Sequence, residues 1–310
     1  EAQARGAAVA GPVSASAPAS APAAASAPDA PASAGASAPP APSGAGGGSG
    51  NAQQEARRAA RAAVEPHSKV LRDDAAPAAQ RAESLRALLE MMKSQDQALA
   101  ETAGGWLASL ADHLTPEEVA VLEREYQAST PGAPTRQYLA AAVARGIAQD
   151  PRLAGFLAGL PPVDEPDIRS GVLRSLDTSP SAAYREWFIR LTRDERDLGV
   201  LDDAWDEDRL LAAATRDAAP RIATAIEGRL GDGPVKERPL RGLGYYAISI
   251  AGIQAPGQAS AALDRCLAAE TDEPVRALGE ALVAIVRSGD ATFAALEAVW
   301  DKHQRLLRQK

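Results

Sequence analysis

The sequence has 310 residues, and its 33 Lys and Arg against 41 Asp and Glu give a formal net charge of −8. The cations are scattered and form no basic stripe, which argues against a nucleic-acid partner. Aromatic residues make up only 4% of the chain, and β-branched residues rarely occur in runs, so helix is favoured over sheet. The single cysteine, Cys266, excludes an intramolecular disulfide and a thiolate metal cluster.

Residues 1–50 are a low-complexity segment made almost entirely of Ala, Pro, Ser and Gly. They offer almost no large apolar side chain whose burial could offset the backbone entropy lost on ordering, so we expect a disordered tether. The chain begins at Glu1 and not at Met, and such a tether is typical of bacterial proteins behind a removed signal peptide or a membrane anchor. This predicts a periplasmic protein, or one anchored in the membrane and facing the periplasm, with the cytoplasm as the alternative. Any membrane contact is expected only through such an anchor.

Residues 51–78 mix charged residues with Ala but contain few large apolar side chains, which predicts a weakly packed helical lead-in. From residue 79 to residue 310, apolar residues recur at i, i+3, i+4 and i+7 between turns marked by Pro, Gly or Asp. Leu85, Leu88 and Met92 share one face in this way. The pattern predicts an all-α body. Charged residues interrupt every apolar stretch before it reaches the roughly 20 residues needed to span a bilayer.

One helix opening occurs twice in nearly the same letters. It is clearest in TDEPVRALGEALVAIVRS, residues 271–288, and it returns in DEPDIRSGVLRSL, residues 164–176. Each copy has an acidic start, a proline and then Val or Ile followed by Arg. With weaker copies near residues 99, 136, 209 and 241, the spacing is roughly 32 to 40 residues over about six units, a range typical of two-helix repeats.

This opening resembles the second helix of bacterial HEAT and HEAT-like repeats, with two good copies and four degenerate ones. The resemblance implies a right-handed α-solenoid of about six two-helix repeats in the region beyond the lead-in. It also implies a structural ladder in which Arg169 and Arg276 each hold an aspartate of an adjacent turn. Asp164 and Asp272 open the two helices, where a carboxylate can accept backbone N–H bonds.

The sequence contains no motif that indicates a catalytic, metal or cofactor site. The three histidines are far apart and form no HExxH or HxH pair, as a zinc site would require. The glycine-rich stretch at residues 44–50 lacks the Lys-Ser/Thr ending of a phosphate-binding loop. We therefore predict no catalytic residue, no metal and no cofactor.

Asp202, Asp203 and Asp206 crowd around Trp205 in the most highly charged part of the sequence. Clustered carboxylates can bind calcium, but the alternating ligands and closing Glu of a calcium loop are missing. Two interpretations remain. The stretch is a solvated connection whose last acids cap the next helix, or it is an acidic surface that binds a basic partner.

Tyr245 and Tyr246 are adjacent, and neighbouring side chains on a helix point about 100° apart. Because both cannot face one core, one of them is expected to be displayed to a partner, where Tyr is enriched at binding hot spots. Gly242 and Gly244 are open to two interpretations. They leave the surface accessible to another chain, or they let neighbouring hairpins pack closely.

These observations favour a non-enzymatic protein-binding scaffold or adaptor, tethered in the bacterial envelope, whose partner is a protein. Two alternatives remain open. One is a HEAT-like repeat enzyme of the lyase type, which needs a groove with a protonating or nucleophilic group. The other is a purely architectural subunit of an envelope complex.

Overall fold

The computed structural model describes residues 49–161, 164–176, 181–231 and 235–308, with side chains from residue 52 onward. Almost all of the expected tether, residues 1–50, lies outside these ranges. All the helices described here belong to one unit, Gly47–Lys310.

The described part of the chain is all-helical, as its composition and apolar periodicity predict. It contains no strand, and its helices are joined by short turns, one of which is the 3₁₀ helix Ala111–His113. The α-helices of this part are α1 Ser49–Arg72, α2 Ala78–Met92, α3 Gln97–Ser109, α4 Pro116–Ala128, α5 Arg136–Gly146, α6 Arg152–Ala158, α7 Pro166–Leu176, α8 Ala182–Asp194, α9 Leu198–Ala204, α10 Glu207–Ala213, α11 Ala219–Leu230, α12 Arg238–Gly252, α13 Pro256–Ala269, α14 Glu273–Ser288 and α15 Phe293–Leu307. Within the same ranges, no helix is both long enough and apolar enough to cross a bilayer.

Several helices begin after a residue whose side chain accepts a free backbone N–H group of the first turn. Thr115 opens α4 with a complete capping box, in which its hydroxyl and the side chain of Glu118 each accept a backbone N–H of the other residue. Asp206 caps α10 and Asp272 caps α14. The prediction that the acids of the charged stretch cap the next helix is therefore confirmed at Asp206.

The helices pack mainly on those next to them, or next but one, along the chain. One series of contacts joins α1 to α3, α3 to α5, α5 to α7, and α7 to α9. A second series joins α6 to α8, α8 to α11, and α11 to α13, while α12 packs against α10, α11, α13, α14 and α15. The buried apolar side chains form one continuous core from Val64 to Leu307.

Helices α3 and α5 approach closely at Gly104. A Cβ atom added there would lie 2.5 Å from Cγ and 3.0 Å from Cβ of Tyr138, whereas a Cβ at the adjacent Gly105 would meet nothing within 4 Å. The first glycine is thus required by packing between helices. The second only lowers the helix propensity of α3.

We predict that these two glycines respond oppositely to substitution by alanine. Gly104→Ala forces the Tyr138 ring away and should lower the free energy of unfolding by about 1–3 kcal/mol. Gly105→Ala in the same helix should raise it, by up to about 1 kcal/mol. Urea unfolding followed by circular dichroism measures both changes, and equal effects of the two substitutions would contradict the α3–α5 contact.

Candidate functional site

The three aromatic residues predicted to contact a partner lie in the core. Trp205 and Tyr245 are 0% exposed and Tyr246 is 1% exposed. The prediction that one of the two tyrosines is displayed is wrong, because α12 is surrounded by other helices and has a core on more than one side. Tyr245 packs against Gly279 of α14, and the ring of Tyr246 stacks on Trp300 of α15 at a centroid distance of 5.0 Å.

The glycines beside these tyrosines allow close helix packing. A Cβ at Gly244 would lie 2.8 Å from a methyl group of Leu230 and 3.1 Å from the ring of Trp205. A Cβ at Gly242 would clash with Leu307 of α15. Of the two interpretations of these glycines, close packing of neighbouring helices is therefore the one that the structure supports.

The three aspartates predicted to contact a partner lie near the surface, and two of them form salt bridges with arginines of the same chain. Asp203 forms a salt bridge with Arg174 at 2.8 Å. Asp206 pairs with Arg209 at 3.2 Å while it caps α10. Asp202 is exposed as a residue, but partial desolvation of its carboxyl, with the charges of Asp203 and Asp206, raises its pKa.

Glu297 of α15 extends this acidic surface. Partial burial and the charges of Asp208, Glu297 and Asp206 raise the pKa of Glu207, whose carboxylate accepts a hydrogen bond of 3.4 Å from the hydroxyl of Tyr246. Across the described ranges, no group of three or more His, Cys, Asp or Glu side chains is arranged to hold a metal ion.

We predict that Asp202 and Glu207 destabilise the fold at neutral pH. Their pKa values are higher in the folded chain than in the unfolded chain, so their unfavourable contribution decreases as the pH falls through the folded values and vanishes below about 4. Asp202→Asn with Glu207→Gln should raise the free energy of unfolding at pH 7, and this advantage should shrink toward pH 4. Urea unfolding at both pH values tests this, and an advantage that stays constant with pH would contradict it.

Three arginines, each the fourth residue of its helix, form ion pairs with glutamates at the ends of other helices. We call these pairs, Arg81–Glu118, Arg169–Glu195 and Arg241–Glu270, the Arg–Glu latches. In the Arg169–Glu195 latch, the guanidinium of Arg169 donates to both carboxylate oxygens of Glu195 at 2.5 and 3.0 Å, and both residues are buried. The third guanidinium nitrogen of Arg169 donates to the carbonyl of Pro161 at 2.7 Å. The partner of Arg169 is therefore a glutamate and not the aspartate that the resemblance implied.

The glutamates of two latches are held in the same way by the backbone that follows them. Oε1 of Glu195 accepts the N–H groups of the next two residues at 2.8 and 2.9 Å. Oε1 of Glu270 does the same at 2.9 and 3.0 Å, while its Oε2 accepts Arg241 at 2.6 Å. Each carboxylate thus ends one helix, shapes the turn and binds an arginine of another helix.

The expected partners of Arg276 and Asp164 are also corrected. Arg276 donates to the backbone carbonyl of Glu270. Asp272 binds Arg238 at 2.8 Å. Asp164 is exposed, and the ion pair beside it is made by its neighbour Glu165, whose carboxylate lies 3.0 Å from Arg136.

The glutamates of the latches were not predicted from the sequence, although two of the three share a pattern. Glu195 and Glu270 each stand two residues before an aspartate that caps the next helix, Asp197 for α9 and Asp272 for α14. This repeated Glu-x-Asp marks both positions. Glu118 belongs to the capping box of α4 instead and does not share the pattern.

We predict that Arg169→Ala lowers the free energy of unfolding by about 3–5 kcal/mol, because it leaves the buried charge of Glu195 uncompensated. The matched control is Arg174→Ala in the same helix, whose side chain is 59% exposed in its pair with Asp203. That substitution should cost about 0–1 kcal/mol. Thermal or urea unfolding compares the two, and a similar small loss in both would contradict the structural role of the latch.

A groove of about 590 Å³ lies between α2 and α4. Apolar side chains of both helices line it, and ion pairs stand at its two ends. The lining residues are Ala78, Arg81, Ala82, Leu85, Arg86, Leu89, Glu90, Lys93, Thr115, Glu117, Glu118, Val121 and Glu125. We call this surface the α2–α4 groove.

The Arg81–Glu118 latch closes one end of the α2–α4 groove, with bonds of 3.0 and 2.8 Å. At the other end, Lys93 lies 3.3 Å from the carboxylates of both Glu90 and Glu125. At a rise of 1.5 Å per residue, the wall from Arg81 to Lys93 is about 18 Å long, or roughly three helical turns. The charged groups at both ends are thus engaged with one another, and the space between them is apolar.

The free thiol of Cys266 lies elsewhere and is buried. Burial, with the charge of Glu227, raises its pKa to about 12. The thiol therefore stays protonated at neutral pH, and it packs as a small apolar side chain of α13.

Comparison of the chain with protein-family models, with curated proteins and with solved structures gave no match.

Proposed function

We propose that this chain is a non-enzymatic protein-binding scaffold, built as a right-handed α-solenoid of about six HEAT-like repeats, and that the α2–α4 groove binds an amphipathic helix of a partner protein. The observation that carries the proposal is the make-up of the groove. An apolar wall about three turns long is closed at both ends by ion pairs.

The two series of helix contacts support the solenoid. In a stack of two-helix repeats, each helix packs on its partner and on the equivalent helix of the next repeat, which gives contacts between neighbours and next-but-one neighbours. The odd-numbered helices follow the next-but-one order from α1 to α9, and α11 to α14 follow both orders. Between these two stretches, α8 packs on α11, so the short helix α10 lies outside the series.

The shape of the α2–α4 groove favours a helix as its occupant. Helical segments bind apolar grooves through side chains at i, i+3, i+4 and i+7, and three turns supply about ten to twelve residues. Leu85 and Leu89, which are 3% and 6% exposed, form the apolar floor of the groove, and partly buried Val121 adds to it. Arg86 and Glu117 on the rim can pair with charges that flank the apolar face of the partner.

We further propose that the protein works in the bacterial periplasm, held there by its Ala/Pro-rich N-terminal segment. The support for this location is the composition of residues 1–50.

Site-specific photocrosslinking tests the groove. A benzophenone amino acid at Ala82, an exposed position that lines the groove, should form an adduct with a protein in the cell. The same amino acid at Ala284, which is exposed on α14, serves as the matched control. Mass spectrometry of the adduct should locate the crosslink in an amphipathic helical segment.

Affinity capture without the crosslinker gives a second test. Ala82→Trp should fill the α2–α4 groove and reduce recovery of the partner identified by crosslinking by at least about tenfold. Ala284→Trp should leave this recovery unchanged. Equal recovery with the two tryptophan variants, or adducts of the same abundance at the two labelled positions, would show that the partner binds elsewhere.

A further inference from the structure

The two sides of the α2–α4 groove carry charges of opposite sign. We call its lining residues between Ala78 and Lys93 the α2 wall, and those between Thr115 and Glu125 the α4 wall. The α2 wall has a formal charge of +2, from Arg81, Arg86, Lys93 and the single acid Glu90. The α4 wall has a formal charge of −3, from Glu117, Glu118 and Glu125.

Ion pairs within the chain occupy most of these charges. The side chains of Arg81 and Glu118 are only 6% and 11% exposed in their latch, so neither can reach a partner. At the other end of the groove, Lys93 is a single cation shared by the carboxylates of Glu90 and Glu125. The charges at both ends of the groove are therefore largely balanced within the chain.

Arg86 on the α2 wall and Glu117 on the α4 wall keep their charges available. Both residues are exposed, and within the described ranges neither forms a hydrogen bond or an ion pair through its side chain. The charges left over after internal pairing thus have the same signs as the two walls to which they belong. A segment bound in the groove meets a cation on the side of α2 and an anion on the side of α4.

We propose that the helix bound in the α2–α4 groove carries acidic side chains on the flank that faces α2 and basic side chains on the flank that faces α4. This inference rests on the proposed binding of an amphipathic helix there, and it names the charge pattern of that helix. When the apolar face of a helix lies on Leu85 and Leu89, the residues beside that face project toward the two walls. A carboxylate on one flank then accepts the N–H groups of Arg86, and a Lys or Arg on the other flank pairs with Glu117.

A partner helix with the same charge on both flanks fits this groove less well. Two acidic flanks place carboxylates beside Glu117, and two basic flanks place cations beside Arg86. Like charges that meet across an interface weaken binding and so exclude wrong partners. The formal charge of −8 on the whole chain favours a basic partner everywhere, so the positive α2 wall is the local feature that calls for an acidic flank.

Three synthetic helical peptides test this charge pattern by fluorescence anisotropy with the full chain. All three share one leucine face of about three turns, and they differ only in their flanks, which are both Glu, both Lys, or one of each. At low salt the unaltered chain should bind the mixed peptide at least about threefold more tightly than either uniform peptide. This preference should shrink as salt rises, because salt screens exposed charges.

Reversing the charge of one wall should change the preferred peptide. Arg86→Glu leaves acids on both walls, so the peptide with two Lys flanks should bind most tightly. Glu117→Lys adds a cation opposite Arg86, so the peptide with two Glu flanks should bind most tightly. The matched controls, Arg124→Glu on α4 and Glu83→Lys on α2, make the same charge changes at exposed positions outside the groove lining, and they should keep the preference for the mixed peptide.

The charge pattern is overturned if the unaltered chain prefers a uniform peptide, or if reversal at Arg86 and Glu117 changes the order of the three peptides no more than the controls do. Ala82→Trp separates that failure from failure of the groove itself. If this variant weakens binding of all three peptides by at least about tenfold while their order ignores the charge reversals, the groove binds helices of any flank charge. If Ala82→Trp weakens none of them, the groove is not the binding site, and both proposals fail.

Discussion

The ion pair between an arginine near the start of one helix and a glutamate at the end of another is the constraint on which this structure depends. Removing two charges from water costs several kcal/mol per ion, and the pair recovers that cost only with good geometry and further hydrogen bonds. At Glu195 the carboxylate accepts two bonds from Arg169 and two from the following backbone. Because these bonds must all form together, the pair fixes the end of α8, the turn after it and the position of α7.

One such pair also lies at the surface groove between α2 and α4. Arg81 of α2 binds Glu118 of α4 at one end of this groove, and Lys93 lies close to Glu90 and Glu125 at the other. Between these ion pairs the α2–α4 groove is apolar.

The all-helical character and some helix starts could be predicted because they depend on local patterns, such as the apolar period around Leu85 and the cap formed by Asp206. The exposure of Tyr245 or Tyr246 could not, because the 100° argument assumes that a helix has one buried side and α12 has several neighbours. Arg169 stood out in the repeated opening, but the choice of Glu195 over an aspartate depends on the longer side chain that reaches Arg169. The α2–α4 groove could not be predicted either, since its width is set by the distance between helices and not by any sequence period.

The most direct test of this account is the width of the α2–α4 groove when its latch is removed. Spin labels on Glu83→Cys of α2 and Arg124→Cys of α4, both exposed positions, report the distance between the two helices by pulsed electron paramagnetic resonance. Cys266 is buried and protonated, so it does not compete for the label. We expect one narrow distance distribution in the labelled protein with Arg81 intact, and a broader, shifted distribution in the same protein with Arg81→Met. The same narrow distribution in both proteins would contradict the claim that buried Arg–Glu pairs set the spacing of these helices.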